Sequence, residues 1–162
     1  MPEITLVQAV NLALARAMAD DAQVLVIGED VGAEGGVFRA TEGLLERFGP
    51  DRVLDTPLAE GVIAGLSVGL AAQGFRPVSE IQFTGFIYPT IDQLVNHASR
   101  LRTRTRGRLT CPMVVRSPYG AGIRAVVLDL FARRAIEPGR FQKHDRIGVA
   151  DRSEQQPIGT LR

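Results

Sequence analysis

The sequence predicts an α/β fold in which a mostly parallel sheet carries helices on both faces. Short apolar runs such as Val24 to Ile27 show no polar alternation, which is typical of strands buried on both faces. These runs alternate with longer segments whose apolar residues recur at helical spacing, as in strand–helix–strand units. The 162-residue chain is 45% hydrophobic and 23% charged, which is ordinary for one globular domain with a core.

The individual elements follow from local signals along the chain. Thr5 and Gln8 fit a capping box at the start of the first helix, and Gly49-Pro50 ends the second. The predicted helices cover residues 6–19, 41–48, 59–73 and 90–101, and the predicted strands cover residues 24–27, 52–54, 76–83 and 113–115. A turn-rich loop is expected at 117–122, then a short helix at 126–134 and little order at 136–162.

The third predicted helix carries glycines four residues apart, at Gly61, Gly65 and Gly69. Each glycine costs a helix about 1 kcal/mol relative to alanine. Three of them on one face indicate a smooth groove where another helix packs very closely.

Composition and charge exclude several functional classes. The net charge is +1, which points to no special partner, and the single cysteine, Cys111, suits a reducing cytoplasm. The N-terminus lacks the features of a signal peptide, and the most apolar window, residues 62–72, is too short to span a bilayer. His97 and His144 have no companions at metal-ligand spacing, so we expect no metal site and a soluble, cytoplasmic chain.

A glycine-rich loop at residues 28–36 follows the first predicted strand. Its sequence, G-E-D-V-G-A-E-G-G, does not match the G-x-G-x-x-G dinucleotide fingerprint. Its acidic side chains would also repel a pyrophosphate. Spacing alone favours a simple strand-to-loop transition with solvated acids.

Glu60 is the only charged residue between Asp55 and Arg76. It is open to two interpretations. One is a first-turn glutamate that the helix dipole favours. The other is a half-buried carboxyl at the carboxyl end of a parallel sheet, where such sheets bind ligands and where burial would raise its pKa.

Several other residues could have either a functional or a purely structural role. Gln82 and Phe86 lie past a predicted strand end and could orient and stack a flat ring, whereas Phe83 is expected in the core. Cys111 is also expected in the core. Five arginines alternate with other residues along one stretch: Arg100, Arg102, Arg104, Arg106 and Arg108. They could bind nucleic acid, but a helix C-terminus is favoured, because cations stabilise that end of a helix and the net charge is near zero.

Five segments, in this order and spacing, carry a specific resemblance to a known family. They are Gly28-Glu29-Asp30-Val31-Gly32, Gly36-Val37-Phe38-Arg39-Ala40-Thr41, Asp55-Thr56-Pro57-Leu58-Ala59-Glu60, Glu80-Ile81-Gln82-Phe83 and Arg116-Ser117-Pro118-Tyr119-Gly120. Together they resemble the β subunit of the decarboxylating component of a 2-oxo acid dehydrogenase, of the pyruvate or branched-chain type. The resemblance implies a transketolase-like pyrimidine-binding domain at residues 4–125, followed by a divergent tail at 126–162.

The resemblance also implies a cofactor and roles for individual residues. The family decarboxylates a 2-oxo acid with thiamine diphosphate and transfers the acyl group to lipoamide. Its activating glutamate falls on Glu60, and Glu29 matches a second acid near the route between paired sites. Leu58 would lie beside the aminopyrimidine, Gln82 would lie near it, and Phe86 would take the place of an aromatic contact to the ring.

The family's assembly implies partners for this chain. The cofactor lies between an α subunit, which holds the diphosphate through magnesium, and the β subunit. A heterotetramer with a second β subunit and a lipoyl acyltransferase core would complete a multienzyme complex; no nucleic acid or membrane partner is implied. The identity of the 2-oxo acid is left open.

The sequence departs from the family after Ala125. Val126-Val-Leu-Asp-Leu follows where the family has a histidine-bearing stretch, and the family's C-terminal domain does not follow. We therefore expect a fold that is incomplete at its C-terminus, from a truncated or frame-altered product. The alternative function is a non-catalytic remnant or interaction module.

Overall fold

The computed structural model describes residues 4–118 and the backbone of residues 125–126. In this part of the chain the helices are α1 (Leu6–Asp20), α2 (Leu44–Phe48), α3 (Glu60–Ala72), α4 (Tyr88–Asp92) and α5 (Ser99–Arg104). The strands are β1 (Val24–Gly28), β2 (Val53–Asp55), β3 (Arg76–Glu80), β4 (Val114–Pro118) and β5 (Ala125–Val126). A 3₁₀ turn (Thr84–Phe86) precedes α4, and a π-helical segment (Gln93–Ala98) joins α4 to α5.

The strands form one sheet in the order β2-β1-β3-β4-β5. Neighbouring strands from β2 to β4 pair in parallel, and β5 pairs antiparallel to β4. β1 lies between β2 and β3, and every one of its residues is buried, as its continuous apolar sequence predicts. The predicted α/β class with a mostly parallel sheet is therefore confirmed.

Two apolar clusters pack against the sheet, as expected when helices cover both of its faces. In the first, Leu14 and Met18 of α1 meet Val24 and Val26 of β1. In the second, Ile63 of α3 packs with the residues Ile81, Leu94, Met113 and Val115. Among the described residues, none of the helices has the length and hydropathy needed to cross a bilayer.

The helix boundaries show where local signals were sufficient. The capping box predicted for α1 is present, with Thr5 Oγ1 accepting from the Gln8 amide at 3.2 Å and Gln8 Oε1 accepting from the Thr5 amide at 2.8 Å. α2 begins three residues later than predicted, because Thr41 Oγ1 donates to the Val31 carbonyl at 2.7 Å and Gly43 has φ +75°. The fourth predicted helix, 90–101, is part of a longer run of helical turns from Tyr88 to Arg104.

Two strand ends also differ from the prediction. β3 ends at Glu80 rather than at 83, because the chain turns away toward the 3₁₀ segment. β4 continues through Ser117 and Pro118, which were expected in a loop but pair with Val126 and Ala125 of β5. Val126 is thus in a strand and does not begin a helix; the rest of the helix expected at 126–134 and the stretch 136–162 lie outside the described residues.

The glycines of α3 meet a second helical segment, as predicted, at two of three positions. A Cβ built on Gly61 would lie 3.7 Å from Pro89 Cβ, and one on Gly65 would lie 3.6 Å from Gln93 Oε1. Gly69 has nothing within 4 Å of its Cβ position. The close packing that the glycines allow is therefore satisfied within the chain by α4 and the π-helical segment.

A buried ion pair joins the carboxyl ends of β3 and β4. Glu80 is 1% exposed, and Arg116 Nη2 and Nε both donate to its Oε2, the latter at 3.1 Å. Burial raises the pKa of Glu80 against the opposing effect of Arg116. Because both charges are taken out of water, we expect the pair to contribute orientation more than stability.

Arg116→Met should cost about 3–5 kcal/mol of unfolding free energy, because Glu80 is then buried without its counter-charge. Glu80→Leu combined with Arg116→Met should recover most of that loss, because no charge remains buried. Urea unfolding of the wild type and of both variants measures the two values. A double variant as unstable as Arg116→Met would contradict this account of the pair.

The Arg116→Met variant should also regain stability as the pH falls. Without Arg116, only burial acts on Glu80, so its folded pKa moves further above the usual value. The folded chain then binds a proton at a pH where the unfolded chain does not, and stability rises as the pH falls from the folded toward the unfolded pKa. Urea unfolding at about pH 5 and about pH 7 checks this, with the double variant as control.

Candidate active site

The carboxyl ends of three parallel strands converge at one edge of the sheet. Gly28, the last residue of β1, is in register with Asp55 at the end of β2 and with Glu80 at the end of β3. The segments that leave this edge carry Glu29, Glu60 and Gln82. Ligands of open α/β sheets bind at this edge, so the sheet brings the predicted site residues to the expected place.

Glu60 is the first residue of α3 and is half-buried. The preceding residue, Ala59, has an extended φ of −159° and supplies no side-chain cap to the helix. From α4, Thr90 Oγ1 donates to the Glu60 carbonyl at 3.3 Å and ties the start of α3 to its neighbour. The carboxyl therefore stands at a helix N-terminus without a side-chain cap, on a backbone that Thr90 holds.

Glu29 directly follows β1 and is half-buried. Burial, and then the nearby carboxylates of Asp30 and Glu60, raise the pKa of Glu29. The loops thus bring Glu29 and Glu60, which are 31 positions apart in the sequence, within electrostatic reach of each other. Glu29 is therefore a carboxyl that holds a proton more readily than usual, and Glu60 is one of the charges that cause this.

Gln82 and the apolar residues of the predicted site border these acids. Gln82 Nε2 donates to Asp30 Oδ2 at 3.4 Å, so its amide faces the acidic loop. Leu58 is 67% exposed and Phe86 is 49% exposed, which leaves apolar surface uncovered at this edge. Such surface can receive a flat ring.

Phe83 was expected in the core, and the structure contradicts this. It is 39% exposed and lies edge-to-face with Phe86 at 5.9 Å and with Phe38 at 5.7 Å between ring centroids. The strand ends at Glu80, so Phe83 lies in the segment that leaves the sheet. The three rings form a row, Phe38-Phe83-Phe86.

The glycine-rich loop is shaped by two carboxylates that the sequence interpretation did not assign. The Gly32 amide donates to Asp55 Oδ1 at 2.7 Å, and a Cβ on Gly32 would lie 2.4 Å from Asp55 Oδ2. A Cβ on Gly36 would lie 3.0 Å from Glu80 Oε1. The glycines therefore permit close approach to protein carboxylates. The acids of the loop itself are solvated only in part, since Glu29 is half-buried and Asp30 is exposed.

The other candidate residues lie elsewhere. The five alternating arginines are exposed, and Arg102 and Arg104 fall in the last turn of α5, as the helix-end interpretation predicts. Cys111 is half-buried against the second apolar cluster, and burial raises the pKa of its thiol to about 11. Within residues 4–118, no three side chains of His, Cys, Asp or Glu converge as metal ligands would; His144 lies outside the described residues.

Comparison with known proteins gives the chain's relationships. The family described as the pyrimidine-binding domain of transketolase matches residues 2–126. The chain is 60% identical over 122 residues to a 3-methyl-2-oxobutanoate dehydrogenase subunit β of Mycobacterium tuberculosis, covering 75% of this chain and 35% of that protein. It is 54% identical over 123 residues to a pyruvate dehydrogenase E1 component subunit β of Bacillus subtilis, covering 76% and 38%. The matched region thus spans little more than a third of these relatives.

Gly36→Ala should destabilise the chain more than Gly43→Ala, although both residues have nearly the same positive φ, +76° and +75°. In each variant the left-handed conformation of the alanine costs about 1–2 kcal/mol of unfolding free energy. At Gly36 the new Cβ also meets the buried Glu80 carboxylate, which should add about 1–3 kcal/mol. Urea unfolding compares the two variants; equal losses would mean that the loop does not rest on Glu80.

Proposed function

This chain belongs to the family of transketolase pyrimidine-binding domains, and we propose from that premise that it supplies the pyrimidine side of a thiamine-diphosphate site. The domain would occupy residues 4–125. The whole protein would act as the β subunit of a 2-oxo acid dehydrogenase, in the cytoplasm. The placement of Glu60 beside Glu29 at the ligand-binding edge of the sheet is the observation that carries the proposal.

The residues at this edge fit an aminopyrimidine ring. Such a ring needs a protonatable partner for a ring nitrogen, a polar neighbour and apolar contacts to its faces. Glu60 is a half-buried carboxyl at the start of an otherwise apolar helix, and the Gln82 amide lies beside the acidic loop. Leu58 and Phe86 offer exposed apolar surface, and the Thr56 hydroxyl oxygen is buried without a partner among the described residues.

Each residue has a role that follows from its chemistry. Glu60 would hydrogen-bond a ring nitrogen and hold or release a proton there. Glu29 would keep a second proton-binding group within reach, since burial and its acidic neighbours raise its pKa. Leu58 and Phe86 would exclude water from the faces of the ring, and Gln82 would orient it. Once bound, thiamine diphosphate supplies the carbanion chemistry of decarboxylation.

The proposal assigns the diphosphate and its magnesium ion to a partner chain. Glu29, Asp30 and Glu60 make this edge acidic, which disfavours a diphosphate. An α subunit would hold that group, and acyl transfer to lipoamide would require a lipoyl acyltransferase core. A second β subunit would complete a heterotetramer.

Glu60→Gln should lower the turnover of a 2-oxo acid by at least about 100-fold in a complex with an α subunit and a full-length β partner whose own activating glutamate is also replaced by glutamine, so that all turnover comes from the site of this chain. Glutamine keeps the size of the side chain but cannot ionise, so it cannot take up or release a proton at the ring nitrogen. Glu46→Gln, which alters an exposed glutamate on α2, serves as the matched control and should keep full turnover.

Cofactor binding separates this function from the alternative of a non-catalytic remnant or interaction module. Calorimetry of the co-expressed complex should detect thiamine-diphosphate binding that neither chain shows alone. Near-normal turnover of Glu60→Gln would refute the role of Glu60. A chain that stays monomeric and binds no cofactor beside the α subunit would favour the remnant.

A further inference from the structure

We infer that Asp55 is a positioning residue that holds Glu29 beside Glu60 by tethering the loop between them. This inference deepens the proposed function, because it names a residue that would act on the site without touching the cofactor. It rests on two hydrogen bonds that join Asp55 and Thr56, at the end of β2, to the two ends of the loop that follows β1.

The loop that carries Glu29 is anchored at both of its ends on the same dipeptide, Asp55-Thr56. At the first end, the Thr56 amide donates to the Gly28 carbonyl at 2.9 Å, next to the register pair Gly28 and Asp55. At the second end, the Gly32 amide donates to Asp55 Oδ1 at 2.7 Å. The residues between these anchors, 29–31, therefore form a closed arch.

The same dipeptide leads directly to the other acid. Residues 57–59 connect Thr56 to Glu60 at the start of α3. The arch that bears Glu29 and the connection that leads to Glu60 are thus both attached to Asp55-Thr56. Movement of the arch would change the separation of the two carboxyls.

Two further features show how the loop is held in one position. Gly32 is buried and its Cβ position falls 2.4 Å from Asp55 Oδ2, so only glycine lets the amide approach this carboxylate. Beneath the arch, Val31 is fully buried and its carbonyl accepts from Thr41 Oγ1 at 2.7 Å. Val31 therefore anchors residues 29–31 in the core, and Asp55 anchors the end of this segment at Gly32.

The test uses the purified 162-residue chain and three variants. Asp55→Ala removes the acceptor for the Gly32 amide. Asp55→Asn keeps a side-chain oxygen in the same place and should rescue the tether. Asp51→Ala, which removes an exposed aspartate from the turn before β2, is the matched control for the loss of a surface charge.

Hydrogen exchange measured by NMR reports the tether directly. In Asp55→Ala the Gly32 amide should exchange about tenfold faster or more, while amides in the middle of α1 keep their wild-type rates. Asp55→Asn and Asp51→Ala should both exchange as the wild type does. Unchanged exchange of Gly32 in Asp55→Ala, or equal acceleration throughout the chain, would overturn the inference.

The titration of Glu29 reports its position relative to Glu60. Carbon-13 NMR should find a raised pKa for Glu29 in the wild type, in Asp55→Asn and in Asp51→Ala, and a pKa nearer the usual value in Asp55→Ala. A purely structural role would not move this one carboxyl in a folded chain. An unmoved Glu29 pKa in Asp55→Ala would overturn the inference.

Failure of the proposed function would look different. A wild-type complex with an α subunit that shows no thiamine-dependent turnover would reject that function, and the exchange and titration results would still decide the role of Asp55. In an active complex, Asp55→Ala should lower kcat more than it raises KM for the 2-oxo acid, and Asp55→Asn should restore kcat. An unchanged kcat in Asp55→Ala would overturn the positioning role.

Discussion

The register of the parallel strands is the constraint on which the rest of the structure depends. Because Gly28 pairs with both Asp55 and Glu80, three chain segments leave the sheet at one level. A shift of one residue would turn the side chains of a strand to the opposite face and separate these ends. The glycine-rich loop, the start of α3 and the row of phenylalanines all take their positions from this register.

Carboxylates serve two different purposes at this edge of the sheet. Asp55 accepts from the Gly32 amide, and the buried Glu80 lies against Gly36 and is paired with Arg116. Glu29 and Glu60 remain half-buried, without a cation among their pairing partners in the described part of the chain. Satisfied acids therefore build the scaffold, and unsatisfied acids stay available for a proton. The difference arises from the partners each loop provides, since all four residues carry the same functional group.

The sequence predicted the features that depend on local signals. The continuous apolar run of β1 and the capping box of α1 are encoded within a few residues, and the structure confirms both. The place of Glu60 at the carboxyl end of the sheet was one of two interpretations and followed from the general rule for parallel sheets, whereas its approach to Glu29 was not predicted. The tether from Asp55 and the pair of Glu80 with Arg116 join residues 23 and 36 positions apart, and no local pattern reveals such contacts. The exposure of Phe83 was missed for the same reason, because an apolar run does not reveal where its strand leaves the sheet.

The acidic charge of this sheet edge determines how two chains would share the proposed cofactor. An acidic edge stabilises a proton on a bound ring, and burial, Asp30 and Glu60 already raise the pKa of Glu29. The same charges oppose a diphosphate, because like charges repel each other at this edge. One chain could serve both ends of such a cofactor only by placing cations near these acids, which would lower their proton affinity. Placing the diphosphate on a second chain avoids that loss, so the proposed division between subunits follows from the proton chemistry that Glu60 would perform.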